Sequence, residues 1–586
     1  MHKDKLIIAN CSGFFGDRFA AAEEMVTGGE IDVLTGDYLA ELTMAILFQQ
    51  KLKRPETGYV GTFLKQMKQI MGYCLDNNIK VVSNAGGLNP GGLAAALAGL
   101  ADELGVSPNI AWIEGDDLLP RLDELRAAGE TLVHLDKKIP LAESGGSPVS
   151  ANAYLGGWGI TKALEQGADI VVCGRVADAA LVSGPSAWHF GWSRDDWDCL
   201  AGAYTAGHII ECGAQATGGN YSFMDEVPSY INIGYPLAVM YPDGSSLITK
   251  HENTGGLVST GTVTAQLMYE IETPTYLTPD VSVRFDTLRL TAEGENRVRV
   301  SGVKGEPATN TAKVCINTMA GYRNTMTVVL TGLDIDEKAR LVEEALWENL
   351  GGRDRFNMVK TQLIRSDKAN AAMNEEAFAY LRIFVMDPDP AVVGRSFSAA
   401  VVELALANIP GYTLTSPPGR EMPAVVHWPA LIPKTHLTQT VHINDQVLEV
   451  EPVDGDWPAH PVAAPEFDLP PSPEGTLRQI PLGRLFATRA GDKGGNANLG
   501  VWARTPEEFV FLREFLTVER LRELLPDIRE FEVDRHELPN LLAVNFYIRG
   551  ILGEGAAASW RSDPQAKTLG EYLRARMIDV PRSLLS

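Results

Sequence analysis

The chain has 586 residues, 45% of them hydrophobic and 22% charged, which is too much for one ordinary core and suits two or three packed domains. Seventy-five acidic residues stand against 51 basic ones, a formal charge of −24. That balance excludes the basic footprint that nucleic acid or an anionic membrane surface requires, although a local nest of amides with a few Arg or Lys still suits an anionic ligand.

The opening M-H-K-D-K-L-I-I-A-N-C lacks the apolar core of a secretory signal, and no run approaches the ~18 apolar residues of a membrane span. Six cysteines, at 11, 74, 173, 199, 212 and 315, are scattered without C-x-x-C spacing. This pattern predicts reduced thiols in a cytoplasmic protein rather than a disulfide framework or a zinc site.

From residue 5 to 175 short apolar runs alternate with amphipathic segments. Strands are expected at 6–9, 31–34, 79–82, 110–113, 132–135 and 170–173, and helices at 38–50, 62–76, 93–104 and 152–165. The alternation is that of an α/β fold with a mainly parallel sheet covered on both faces. In such a sheet the strand ends share one edge, where ligands bind. Here those ends carry Ser12, Asp17 and Arg18, then Asp37, then Asn84, Gly86 and Gly87, then Asp116, then Arg175 and Asp178. Turns need Gly, Asn and Asp for geometry alone, but two arginines and so many carboxylates exceed that need.

No dinucleotide or P-loop motif occurs. N-A-G-G-L-N-P-G-G serves either as an anion cradle at a helix start or as a tight packed turn. A helix from about 201 places Tyr204, His208, Glu211, Cys212 and Gln215 at spacings of three and four, so they share a face. The turn Gly218-Gly219-Asn220 follows, and Thr254-Gly255-Gly256 offers another amide cradle. From about 276 to 450 the pattern becomes α+β, with β-rich alternation from 280, a helix at 336–350 and a strand near 380–386. Seven prolines in 452–476 mark an extended tether. The last ~110 residues, from about 478, read as a small ferredoxin-like α+β unit whose turn holds Arg489, Lys493 and Asn496.

The motifs S-G-F-F-G-D-R-F, T-G-D-Y-L-A-E-L, N-A-G-G-L-N-P, G-R-V-A-D-A-A-L, G-H-I-I-E-C-G-A-Q-A-T-G-G-N and Y-L-T-P-D-V together resemble the acyclic terpene utilisation family AtuA over about residues 5–450. The terminal R-A-G-D-K-G-G-N-A-N-L-G is similar to the ferredoxin-fold domain associated with that family. The resemblance implies catabolism of citronellol- and geraniol-type compounds as coenzyme A thioesters, beside a biotin-dependent acyl-CoA carboxylase. It implies cleavage or hydration of a branched 3-hydroxyglutaryl-CoA derivative, and it supplies no catalytic residues.

From the residues themselves, acid–base chemistry beside a thioester needs a tuned base, a partner carboxyl and donors for an oxyanion. His208 as base with Glu211, assisted by Asp37 and Asp178, meets the first two needs. Asn84, Gly86 and Gly87 offer donors, while Arg175 and Lys493 suit a carboxylate or phosphate. Ser12, Asp17, Arg18, Asn152, Cys212, Gly218, Gly219, Thr254 and Asn496 complete the expected substrate contacts. Alternatively His208 is a satisfied core histidine, and Cys212 an inert buried thiol. No cofactor motif is evident. Mg²⁺ on Asp17, Asp37, Asp116, Asp178 and Glu211 is weaker than the reading of these residues as caps and turns. A homo-oligomer, or a non-catalytic subunit docking on an acyl-CoA carboxylase, is the competing expectation.

Overall fold

The computed structural model describes residues 4–459 and 461–585; residues 1–3 of the opening stretch and residue 460 of the proline-rich segment lie outside it. Strands Leu6–Asn10, Val33–Gly36, Lys80–Ser83, Ile170–Cys173 and Ile110–Glu114 lie side by side in that order, all parallel. Leu6 and Ile8 enter one core while Ile7 and Ala9 enter the other. Burial on both faces explains the consecutive apolar residues within these strands.

The whole sheet is mixed rather than mainly parallel. Four antiparallel strands extend it beyond Leu6–Asn10, and Gln439–Ile443 with Gln446–Val450 extend it beyond Ile110–Glu114, giving eleven strands. Strands from beyond 276 therefore build both outer edges of the first sheet, so no seam runs through the chain near 275. A second sheet forms around the 21-residue strand Thr311–Thr331, which pairs with Ser147–Ala153, Phe378–Asp387 and Met422–Pro433.

Two expected elements differ. Residues 132–135 are a loop with Leu132 at φ 48°, its carbonyl accepting from Trp428 Nε1 (2.9 Å). The helix expected from 152 begins at Trp158, and Asn152 lies in the strand Ser147–Ala153. That strand, S-P-V-S-A-N-A, has little apolar alternation, so its pairing with the long strand decides its conformation.

The helix Trp197–Ile210 is buried all round from Leu200 to Ile210. Gly202 and Gly207 permit this: a Cβ would stand 2.0 Å from the Gly244 carbonyl oxygen and 2.7 Å from Ala179 Cα. Asn10, at the end of the first strand, donates from Nδ2 to the carbonyls of Ile210 (2.6 Å) and Glu211 (3.0 Å). It thereby satisfies acceptors that the last helical turn leaves open and ties the helix end to the strand edge.

The terminal unit is a four-stranded antiparallel sheet in the order Ala487–Lys493, Asn496–Trp502, Ala543–Ile548, Val533–Leu538, covered by helices. Leu482–Arg484 form a turn, and the first strand of this sheet begins at Ala487. The glycine-rich run after it is mostly strand, turning at Gly494 (φ 62°). The unit is docked on the body. Asn498 donates to Met268 O (2.6 Å), and Asn545 donates to Ile271 O (3.2 Å) and Glu272 O (3.1 Å). A Cβ on Gly491 would stand 2.3 Å from the Tyr269 ring, so glycine is needed for that approach.

Candidate active site

A cavity of about 810 Å³ opens at the carboxyl edge of the parallel strands, between the body and the terminal unit. The strand ends supply Gly13, Asp17, Asp37, Arg175 and Asp178, and the end of the buried helix supplies Glu211 and Cys212. The segment after the helix Thr260–Leu267 adds Tyr269, Glu270 and Tyr276, and the long strand adds Lys313. Asp492, Lys493, Gln565 and Lys567 close it from the terminal unit. Gly13 is required by proximity, since a Cβ there would stand 2.5 Å from the Cys212 carbonyl carbon.

Arg175 is the charged centre. It is 3% exposed, and its guanidinium donates to Val176 O (2.9 Å) and to Asp178 Oδ1 (2.5 Å) while lying 4.0 Å over the Tyr154 ring. Burial alone would pull its pKa down, but Asp178 and its neighbours push it well above the usual value, so it is permanently cationic. Asp37, 4% exposed, accepts from Asn84 Nδ2 (2.5 Å) and from Leu39 N (3.1 Å). Burial, and then the Asp178 charge, nevertheless raise its carboxyl well above the ordinary range.

Glu211 is the second raised carboxyl, again through burial first and then Asp178 and Glu270. The negative end of its own helix adds to that. Its Oε2 is buried without a hydrogen-bond partner among the described residues, and so is Gln215 Oε1, also on the cavity wall. His208 Nδ1 lies 3.2 Å from Glu211 Oε1. His208 itself is not on the wall: its ring packs at a tilt against Tyr276 and Phe285, at centroid distances of 5.0 and 5.4 Å. Burial, then the Lys493 charge, push it down to about 4, so at neutral pH it is an uncharged and weak base. The cavity-facing partner of this pair is Glu211.

The other expected contacts divide. Asp17, Arg175, Asp178, Asp37, Glu211, Cys212, Gly219 and Lys493 line the cavity. The Cys212 thiol is held well above its usual pKa by burial and the Glu211 charge, which suits an inert sulfur. Asn84 stands behind Asp37 as its donor, and Ser12 Oγ donates to Phe14 O (3.1 Å). Arg18 turns away to Glu24 (2.5 Å) and Ile233 O (2.8 Å). Gly86 and Gly87 are a packed turn: Cβ atoms would stand 2.4 Å from Cys173 O and 2.3 Å from Leu47 Cδ1. Asn152 donates to Asp116 Oδ2 (2.8 Å), which also accepts from Arg175 N (2.8 Å), so this pair braces Arg175 from behind.

Gly218 (φ 100°) packs against Leu257, and Thr254 donates to His251 O (2.8 Å). Asn496 donates to Asp136 (3.0 Å) and the Tyr547 hydroxyl (2.9 Å). These three lie outside the cavity wall. The reading from sequence missed Tyr269, Glu270, Lys313 and Lys567, which come from loops and strands with no motif of their own, and it gave no role to Tyr276, the first residue of Y-L-T-P-D-V. Lys493 Nζ sits 5.9 Å from the Tyr276 ring centroid, and Lys567 contacts the Tyr269 hydroxyl. Among the described residues no group of three or more His, Cys, Asp or Glu is disposed to hold a metal ion. No helix among them is long and apolar enough to cross a membrane.

Fold and site together define an α/β protein whose carboxyl-rich cavity is completed by a small ferredoxin-like unit. Comparison with known families matches residues 6–443 to the acyclic terpene utilisation family protein AtuA. Residues 480–579 match the AtuA ferredoxin-like domain. The chain belongs to the AtuA family, which associates it with acyclic terpene utilisation. Comparison with curated proteins finds no match.

Proposed function

We propose that the cavity is the active site of an enzyme of acyl-CoA metabolism that moves a proton beside a thioester carbonyl. One observation carries this reading: Glu211 Oε2 is buried on the cavity wall with no hydrogen-bond partner among the described residues, beside Asp37, Asp178 and the Arg175 guanidinium. Burial and the neighbouring Asp178 charge raise the carboxyls of Asp37 and Glu211 well above the ordinary range, against the pull of Arg175 and Lys493, which favours the proton-holding form that an acid–base group needs. Arg175 orients an anionic part of the ligand, and the Tyr276 phenol, held well above its usual pKa by burial and the Glu211 charge, remains a donor.

On a 3-hydroxyacyl thioester the ionised carboxyl takes the 3-hydroxyl proton, and the C2–C3 bond breaks to give a carbonyl product and a thioester enolate. Lys493 and Tyr276 stabilise the enolate oxygen, and the proton returns to C2. Hydration of the corresponding unsaturated thioester uses the same groups. The competing reading, a non-catalytic subunit, gives the buried carboxyls no task.

The test is incubation of the purified chain with branched 3-hydroxyacyl- and enoyl-CoA thioesters, followed by mass spectrometry. Cleavage or hydration of at least one is expected. A panel in which no thioester is turned over or raises the melting temperature would remove the proposal.

A further inference from the structure

Segment 452–476 has the composition of a free tether, but its first part is fastened at Val453, Gly455 and Trp457, and again at Val462. Val453 is buried, and its carbonyl accepts from Lys434 Nζ (2.8 Å), an ammonium that also donates to Pro279 O (2.6 Å). Gly455 lies so close to the body that a Cβ would stand 2.1 Å from the Ala308 carbonyl oxygen, to which Trp457 N donates (3.2 Å). Glu306, 2% exposed, accepts from Trp457 Nε1 through Oε2 (2.8 Å) and from Val462 N through Oε1 (2.7 Å). Arg284 completes the network, donating to Glu306 (2.8 Å), to both oxygens of Asp286 (2.9 and 2.6 Å) and to Val462 O. A strap held by buried charge-assisted bonds has no freedom to swing.

The strap matters because Trp457 forms part of the cavity wall. Trp457 lines the cavity beside Leu277, Pro279, Ala312 and Leu431. With Thr278, Thr309, Asn310 and Thr311 between them, these residues make an uncharged stretch with apolar side chains in it, whereas the carboxyls and Arg175 come from the strand ends. We infer that the strap is a fixed wall and that Trp457 is a specificity-determining residue, setting the length limit of the ligand's apolar chain. The inference rests on the acyl-ligand reading of the cavity. An aromatic plate whose Nε1–H is committed to a buried carboxylate stops a growing chain and does not yield to it.

The experiment measures dissociation constants for straight-chain acyl-CoA thioesters of increasing length, and for the free carboxylic acids of the same lengths. It compares the wild type with Trp457→Ala, Trp457→Leu and Trp457→Phe, with the melting temperature followed for each. Wild-type affinity should rise about three- to fourfold per methylene up to a cut-off length and then fall. Trp457→Ala, or Trp457→Leu if the alanine protein does not fold, should move the cut-off to chains about two or more methylenes longer. Trp457→Phe should leave the cut-off nearly in place. A wild type without a cut-off, a cut-off that no variant moves, or an equal loss at all lengths would overturn the assignment. Free acids that show the shift while no thioester binds would keep Trp457 as the wall and refute the thioester reading instead.

Discussion

At the scale of single residues, the charges that sequence places at strand ends converge because parallel strands bring their carboxyl ends to one edge. Asp37, Arg175 and Asp178 were legible for that reason. Tyr276, Lys313 and Lys567 were not, because they reach the cavity through long-range packing that no local spacing encodes. His208 and Glu211 were legible as a pair, but which of them faces the cavity depends on where the helix ends.

The buried Asp116 gives a stability test. Burial, only partly offset by the Arg175 amide and Asn152, pushes its carboxyl up to about 7, against about 4 in the unfolded chain. Between those values the folded state binds the extra proton, so stability falls as pH rises from about 4 to about 7 and is fully retained below about 4. His208 acts in the opposite sense, losing stability as pH falls from about 6.5 towards 4. Asp116→Asn should therefore show a flatter loss of unfolding free energy in urea from pH 5 to pH 8 than the wild type; identical slopes would refute the buried-acid account. Arg175→Ala should cost roughly 3 kcal/mol or more of stability by denaturant unfolding, since it leaves Asp178 and Asp37 without their cation. A variant of unchanged stability would make Arg175 a ligand contact alone.

At the scale of elements, the central strands were legible because burial on both faces gives them consecutive apolar residues. The strand Ser147–Ala153 was not, because S-P-V-S-A-N-A has little β character until Thr311–Thr331 pairs with it. The proline-rich segment was half legible: residues 463–476 are largely exposed, as composition suggests, while 452–459 are fixed by Lys434, Ala308 and Glu306, more than a hundred residues away in the last two cases. Limited proteolysis should accordingly cut within 463–476 and spare 452–459. Early cleavage between Val453 and Trp457 would show that the strap is loose. Glu306→Gln should open that region to the protease, because it weakens the bonds from the Trp457 indole N–H and the Val462 amide.

At the scale of the whole molecule, composition pointed to a tethered terminal unit, and the structure has that unit closing the cavity. Buried Asn498 and Asn545 bind carbonyls of the segment that carries Tyr269, Glu270 and Tyr276, so the wall and the terminal unit form one assembly. That dependence was invisible in sequence, because asparagines in a strand signal nothing until they meet a facing backbone. The central claim is that Glu211 is the acid–base group of this shared cavity. The most direct measurement is turnover of the best thioester by wild type and Glu211→Gln, with the dissociation constant and melting temperature taken on the same proteins. Turnover should fall ~10²-fold or more, with binding and melting temperature nearly unchanged. Equal turnover in the two proteins would contradict that claim.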